Sequence, residues 1–304
     1  MSKYPNISII FPNFNGGKEP IECLNSIKRL NYPKKKLEII VIDNNSSDGS
    51  DIKIEKGFPE TILIRNKTNL GFAKAINQGI KKSTGEFVFI GNNDLVFEKN
   101  SIRNLILFSL KESNLGIAGG TLVSKQDRKK IISSFQTFNY ITGRVKMNKI
   151  KITKPCEVQW VQGCAMLIPR SIFKKVGIFD KGFEKAYFED LDICKRVQTT
   201  GYKTMLYPSA VFFHYQSYTL DNVVEKKIKW YNWHKNKIRF LLKHASFFQI
   251  LSAVTIEFLW SLYKTIFKGD AQLQAYLKGL YWNLKNLTKT LSVRRKMNQL
   301  LNFN

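Results

Sequence analysis

Residues 87–94 read FVFIGNND: four apolar residues run without interruption into a glycine, two amides and a carboxylate. An apolar run of this length, made of Phe, Val and Ile and closed by turn formers, reads as a buried strand. The same pattern occurs upstream. Residues 7–11 form an apolar run closed by Pro12, Asn13 and Gly16-Gly17, and residues 37–42 form another, closed by the polar cluster from Asp43 to Gly49. Residues 61–64 add a further run before a polar loop. Between the runs, Ile21, Leu24, Ile27 and Leu30 fall on one helical face that Pro33 ends, and residues 73–82 have helical character. Short apolar strands alternating with amphipathic helices predict βαβ units, hence an α/β fold with a mostly parallel central sheet covered on both faces. Ligands of such sheets sit outside the carboxyl ends of the strands. Three of these ends carry Pro12-Asn13, Asp43-Asn44 and Asn92-Asn93-Asp94 to one rim, where a nucleotide would be held.

Beyond this half the pattern loosens. A helix is expected near residues 102–110, and the Lys-rich stretch 125–154 reads as loop and edge strand. Residues 161–168 predict a strand, 170–176 a short helix, 189–199 a helix stopped by Gly201, and 211–215 a last apolar run. After Asp221 the composition changes: residues 221–304 hold 15 Lys and Arg against four acids, interleaved with Trp230, Trp233, Trp260 and Trp282. Residues 247–267 would span about 31 Å as a helix, but they include Gln249, Glu257 and Lys264. Those polar groups argue for an interfacial or bundle helix over a free-standing membrane span. The chain thus divides into a half that carries the nucleotide rim (1–98), a second half of the same domain (99–220) and a basic aromatic helical tail (221–304).

With 304 residues and 43% hydrophobic content, the chain can bury a large core, which excludes a disordered tail protein and a small disulfide scaffold. Its formal charge of +26 predicts attraction to something anionic: nucleic acid, an acidic bilayer or a phosphorylated ligand. No nucleic-acid recognition motif accompanies the charge, so no specific nucleic-acid partner is expected. Cys23, Cys156, Cys164 and Cys194 form no CxxC pair and have no His at metal-ligand spacing, which points to a reduced, cytosolic chain. The apolar run at 7–11 is too short for a signal-peptide core.

The rim loops carry chemistry as well as turn propensity. Asp43, fixed by its strand end, can accept hydrogen bonds from a base or ribose, although Asn, Ser, Asp and Gly also dominate ordinary turns. In NLGFAKAINQGI (69–80) a glycine loop opens a helix, which either faces backbone amides toward phosphate or is a plain helix cap. A hard cation such as Mg²⁺ needs only one or two protein carboxylates when substrate phosphates and water complete its shell. Asp94 suits that role, and equally that of a turn carboxylate. YFEDLDICKR (187–196) clusters Glu189, Asp190 and Asp192 behind two aromatics. Carboxylates so close raise one another's pKa unless cations or a polar substrate compensate, and they also suit a helix N-terminus. His214, after Phe212-Phe213, reads on this basis as a hydrogen-bonded structural histidine.

Six blocks in series, SIIFPNFNGG (8–17), IIVIDNNSSDGS (39–50), NLGFAKAINQGI, FIGNND (89–94), VQGCAMLIPRSIFKKVGIFDKGF (161–183) and YFEDLDICKR, followed by Gly201 and His214, resemble glycosyltransferase family 2. The resemblance covers residues 5–220 and implies the GT-A fold, here with a C-terminal helical extension, and inverting sugar transfer from a UDP-, dTDP- or GDP-linked donor. It implies Pro12 and Asn13 at the base pocket, Asp43 on base or ribose, and Asn69, Gly71, Phe72, Asn77 and Asn93 beside the nucleotide. Asn92-Asn93-Asp94 stands where the family has its Asp-x-Asp metal motif, so Asp94 would hold Mg²⁺ or Mn²⁺, with an amide replacing the first Asp; His214 matches a position that helps hold the metal in some relatives. Asp190 matches the catalytic base, with Glu189 and Asp192 shaping the acceptor site and helix. The Asn-Asn-Asp and Tyr-Phe-Glu-Asp segments are similar to rhamnosyltransferases of cell-surface polysaccharide synthesis. That similarity implies a lipid-linked or glycan acceptor, and the basic tail with Trp230, Trp233 and Trp260 predicts peripheral docking on the cytoplasmic face of an anionic membrane. Two other readings compete. A sugar-phosphate nucleotidyltransferase would show a Gly-rich, basic triphosphate segment near the first strand, which FPNFNGGKEP lacks; a non-enzymatic basic membrane or nucleic-acid module would show no donor hydrolysis.

Overall fold

A computed structural model describes residues 4–215 and 226–302. At its centre β1 (Ile7–Asn13) lies between β2 (Leu37–Asp43) and β4 (Phe87–Gly91), parallel to both, and β3 (Ile62–Arg65) extends the parallel half beyond β2. Side chains along β1 alternate between two cores, as the period of a strand requires. Ile7, Ile9 and Phe11 join Leu24 and Ile27 of α1 (Glu19–Lys28), Ile54 of α2 (Ser50–Gly57) and Leu105 of α4 (Ser101–Ser109). Ile10 enters the opposite core with Ile76 and Ile80 of α3 (Phe72–Lys82). Two-sided burial is why these strands read as apolar runs.

The expected α/β architecture holds, but the sheet is mixed, not mostly parallel. Its order is β10-β12-β6-β11-β4-β1-β2-β3, with β5 (Leu95–Phe97) on β12 (Lys203–His214) and β7 (Ile131–Ser133) on β6 (Leu115–Ser124). β11 (Ala165–Pro169) pairs antiparallel with both β4 and β6, because its Ala165 starts beside Gly91 at the rim and the strand runs back to Phe87. β10 (Cys156–Glu157) closes the far edge. The strand expected over 161–168 begins only at Ala165: Ala165 donates to Gln162 O across a turn, and the Gly163 N–H is engaged by a carboxylate. Stretch 125–154 contains β7 and a separate hairpin of β8 (Phe135–Phe138) and β9 (Val145–Asn148), whose turn is held by Asn139 Oδ1 accepting from Ile141 and Thr142. Helix α2 buries only Ser50 and Ile54, too little periodicity to read from sequence.

α5 (Arg170–Val176) and α6 (Glu189–Thr199) fall where expected. The tail is helical: α7 (Lys226–His244), α8 (Phe247–Lys268), α9 (Gln272–Lys285) and α10 (Leu287–Asn302). The division placed at 220/221 lies outside the described residues. α7 joins the main core, where Phe240 packs edge-on to Phe138 at 5.2 Å and against Phe188 at 6.0 Å.

Candidate functional site

Three strand ends are laced together at the rim. Parallel register sets Asn13 beside Asp43, and Asn13 Nδ2 donates to Asp43 Oδ1 at 2.8 Å and Ser50 Oγ at 2.8 Å. Asn93 Nδ2 donates to Asn13 Oδ1 at 2.9 Å, tying β4 to β1. Gly16 is required beside this bond, since a Cβ there would stand 2.4 Å from Asn93 Nδ2 and 2.6 Å from Asn13 Oδ1. Asp43 also accepts from Ser46 N (2.9 Å) and Oγ (2.6 Å), so its carboxylate orders the 43–50 loop. Pro12 is half-buried, whereas Asn13, Asp43 and Asn93 are buried within this network.

Asp94 and His214, 120 positions apart, meet because β5 and β12 pair antiparallel with His214 opposite Leu95. Asp94 Oδ1 lies 3.1 Å from His214 Nε2, a buried nitrogen without a hydrogen bond among the described residues. One carboxylate and one imidazole suit a divalent cation whose remaining ligands are phosphate oxygens and water. Among the described residues there is no cluster of three or more His, Cys, Asp and Glu able to hold a metal unaided, so the site fits a cation delivered with its substrate.

A cavity of about 270 Å³ opens beside this pair, walled by Asn92, Trp160, Gly163, Glu189, Asp190 and His214. Cys164, also in its wall, has its thiol pushed well up by burial and then by the charges of Asp94 and Asp190. Asp190 Oδ2 accepts from Gly163 N at 2.9 Å and Oδ1 from Leu191 N at 2.8 Å. Burial nevertheless raises its pKa above the ordinary aspartate range. Burial and the neighbouring Asp190 charge push Glu189 well above the usual carboxylate value, and Glu189 Oε2 has no partner among the described residues.

The segment that presents these carboxylates is strained. Lys185, Tyr187 and Phe188 all have positive φ (66°, 82° and 71°), a conformation costly for side chains of this size. It is held from both sides. Phe72 N donates to Lys185 O at 2.7 Å, and a Cβ on Gly71 would stand 2.6 Å from Lys185 Cα, so only glycine admits this approach. From the tail, buried Asn236 Nδ2 donates to Glu184 O, Ala186 O and Tyr187 O at 3.2, 2.8 and 3.1 Å. Nothing in the local sequence marks Asn236; it lies 46 residues beyond Asp190, and only packing brings it there.

Several expected roles are corrected. Two of the amides at the start of α3 are engaged within the chain instead of being open to a phosphate: Gly71 N donates to Asn69 Oδ1 at 2.9 Å and Phe72 N to Lys185 O. Asn69 O accepts from Lys185 Nζ at 2.9 Å, while the Phe72 ring lines the cavity. Asn77 is removed from any nucleotide, because both ends of its buried amide bind the backbone of Phe179, at 2.7 and 3.0 Å. Asp192 does not reach an acceptor. Fully buried, it binds Arg196 Nε at 2.9 Å, His244 at 2.7 Å and Lys243, and the Lys243 and Arg196 charges hold it well below the usual range despite burial. Lys243 and Arg239 both reach Asp180 at 2.8 Å, and Lys235 reaches Glu184 at 3.0 Å. Part of the tail's basic excess is therefore internal, paired with Asp180, Glu184 and Asp192.

Comparison with known proteins agrees with this geometry. The chain is 27% identical over 244 residues to the "Probable glycosyltransferase YdaM" of Bacillus subtilis, covering 76% of this chain and 55% of that one. It is 25% identical over 231 residues to the poly-beta-1,6-N-acetyl-D-glucosamine synthase of Staphylococcus epidermidis, covering 74% and 53%. The chain spans little more than half the length of these relatives. Its fold is similar to that of GalNAc-T7 solved with UDP, GalNAc and Mn²⁺, with a TM-score of 0.64 at 14% identity, covering 95% of this chain and 58% of the other. The family model described as Glycosyl transferase family 2 matches residues 8–177, more than half of the 304 residues, and the chain belongs to that family.

Proposed function

We propose that this protein transfers a sugar from a nucleoside diphosphate sugar to an acceptor hydroxyl, with inversion at the anomeric carbon. The observation that carries the reading is a cavity lined by both Asp190 and His214, the latter in contact with Asp94. Asp190 takes the hydroxyl proton as the acceptor oxygen bonds to the anomeric carbon; the bond from that carbon to the diphosphate oxygen breaks, and the nucleoside diphosphate leaves with the electron pair. Its raised pKa makes it a stronger base than an exposed aspartate. Burial and the Asp190 charge raise the pKa of Glu189 well above the usual carboxylate value, which disfavours a second negative charge beside Asp190. When bound at Asp94 and His214, Mg²⁺ or Mn²⁺ would supply positive charge against the departing diphosphate.

UDP, dTDP and GDP remain the candidate carriers, and the UDP and Mn²⁺ bound by GalNAc-T7 support a nucleotide donor with a divalent cation. The resemblance of segments 92–94 and 187–190 favours rhamnose as the sugar, and the glucosamine-polymer synthase among the relatives supports a glycan product. We place the protein on the cytoplasmic face of the membrane, acting on a lipid-linked acceptor. α8 supports this: its 22 residues bury only Ala253, Glu257 and Ser261, and turn Phe248, Leu251, Leu259 and Ile266 outward at 79, 56, 56 and 62% exposure.

Thermal stabilisation of the full chain by UDP-, dTDP- and GDP-sugars with Mn²⁺ or Mg²⁺ identifies the donor. With that donor, Asp190→Asn should keep the stabilisation and lose about 10²- to 10⁴-fold in turnover. Near-normal turnover would remove Asp190 as the base and the mechanism with it.

A further inference from the structure

The catalytic cavity does not end at Asp190. It shares Val145 and Trp233 with a second cavity of about 450 Å³ between the β8–β9 turn and helices α7 and α8. That cavity shares Arg144, Ile256 and Trp260 with a third, of about 390 Å³, completed by Leu259 and Tyr263. The three form a track from the catalytic carboxylate to the outward apolar face of α8.

The chemistry of the track changes along its length. In the middle cavity Lys237 and Glu257, 4 and 7% exposed, pair at 2.9 Å. His234, 2% exposed, sets Nδ1 2.9 Å from Glu257 Oε1, and its Nε2 has no partner among the described residues. A buried ring nitrogen left unsatisfied in a cavity wall calls for a hydrogen-bonding ligand. Arg144 is exposed, makes no ion pair among the described residues and lies over the Trp260 ring at 5.6 Å. Arg144 and Lys237 thus face one carboxylate, and the middle cavity has cationic charge to spare. Beyond it the walls are Ile256, Leu259 and Tyr263, suited to hydrocarbon.

We propose that this track binds the acceptor as an amphiphile. Its hydroxyl-bearing end reaches Asp190, a phosphate or diphosphate ester lies against Arg144, and its hydrocarbon runs along Leu259 and Tyr263 onto the apolar face of α8. This rests on the transferase reading and adds where the acceptor lies and which residues meet its charged and hydrocarbon parts. The test uses the full chain without metal, titrated with farnesyl diphosphate, inorganic diphosphate or farnesol and read by tryptophan fluorescence. Farnesyl diphosphate should bind at least tenfold more tightly than either fragment, and Arg144→Gln should weaken it at least tenfold while the melting temperature stays unchanged. Should that variant misfold, exposed Tyr263→Ser carries the same expected loss. Diphosphate or farnesol binding as tightly as the intact amphiphile, or variants that bind it like the parent, would overturn the track. UDP, dTDP and GDP, each with Mn²⁺, are tested in parallel by thermal shift. A chain stabilised by one of these nucleotides but indifferent to farnesyl diphosphate loses the track alone; one that binds the amphiphile and none of the three nucleotides keeps the track and loses the transferase reading; one that binds neither loses both.

Discussion

At Asp190 and Glu189, burial and adjacency set two carboxyls apart in role. A carboxyl whose folded pKa is raised contributes stability below its unfolded value, about 4, and loses it as pH rises through the folded value. At neutral pH an ionised Asp190 is therefore a net cost to the fold, held for its chemistry. Asp190→Asn should raise the melting temperature at pH 7 while removing turnover; Glu189→Gln, which removes a carboxyl that burial makes hard to ionise, should change turnover by less than about tenfold. The acid limb of the pH–rate profile should lie above the ordinary aspartate value, in line with the direction of the Asp190 shift; a limb at or below that value would show an unperturbed base. Gly16 offers a second residue-level test. Gly16→Ala forces a methyl against the Asn13–Asn93 bond and should cost about 1–3 kcal/mol in urea denaturation.

Between elements, the decisive contact is α6 with α7. Asp192 on α6 is fully buried and depends on Lys243 and His244 of α7 and on Arg196 one turn along. Removing one partner leaves a buried charge under-compensated, so Lys243→Met should destabilise the chain by about 3–5 kcal/mol at pH 7. The sign follows from the depressed Asp192 pKa: its stabilisation is present above the unfolded value of about 4 and is lost as pH falls through the folded one. The gap between parent and variant in urea denaturation should therefore narrow in acid; a gap independent of pH would show that Lys243 acts by packing alone. The same contact makes a tail deletion a poor probe of membrane attachment, because it would strip Asn236 from the strained 184–188 segment and Phe240 from the core.

For the whole molecule, the charge map changes meaning once it is folded. Lys235, Lys237, Arg239 and Lys243 are buried against Glu184, Glu257, Asp180 and Asp192, whereas Lys227, Lys278, Lys285 and Lys289 remain on the surface with the exposed face of α8. Apolar insertion and basic attraction should act together on an anionic leaflet. The full chain should float with vesicles of mixed anionic and neutral lipid, and Phe248→Ser with Ile266→Ser should lower that binding at least about tenfold, each side chain contributing about 1.5–3 kcal/mol on burial. Undiminished flotation of the double variant would assign attachment to charge alone.

The sequence by itself determined the parallel half of the sheet and the residues at its rim, because β1, β2 and β4 are buried on both faces and end abruptly in polar turns, a pattern local to each segment. It also placed Asp190 at the start of a helix, since carboxylates suit the positive end of a helix dipole. Long-range register decided the rest. Asp94 meets His214 only because β5 pairs with β12, Asn77 is spent on Phe179, and Asp192 is an anchor because α7 folds back to supply its cations. A side chain's type is written in the chain, but its partners are fixed by which distant segments pack around it, and those partners decide whether a carboxylate is a base, a metal ligand or a buried tie.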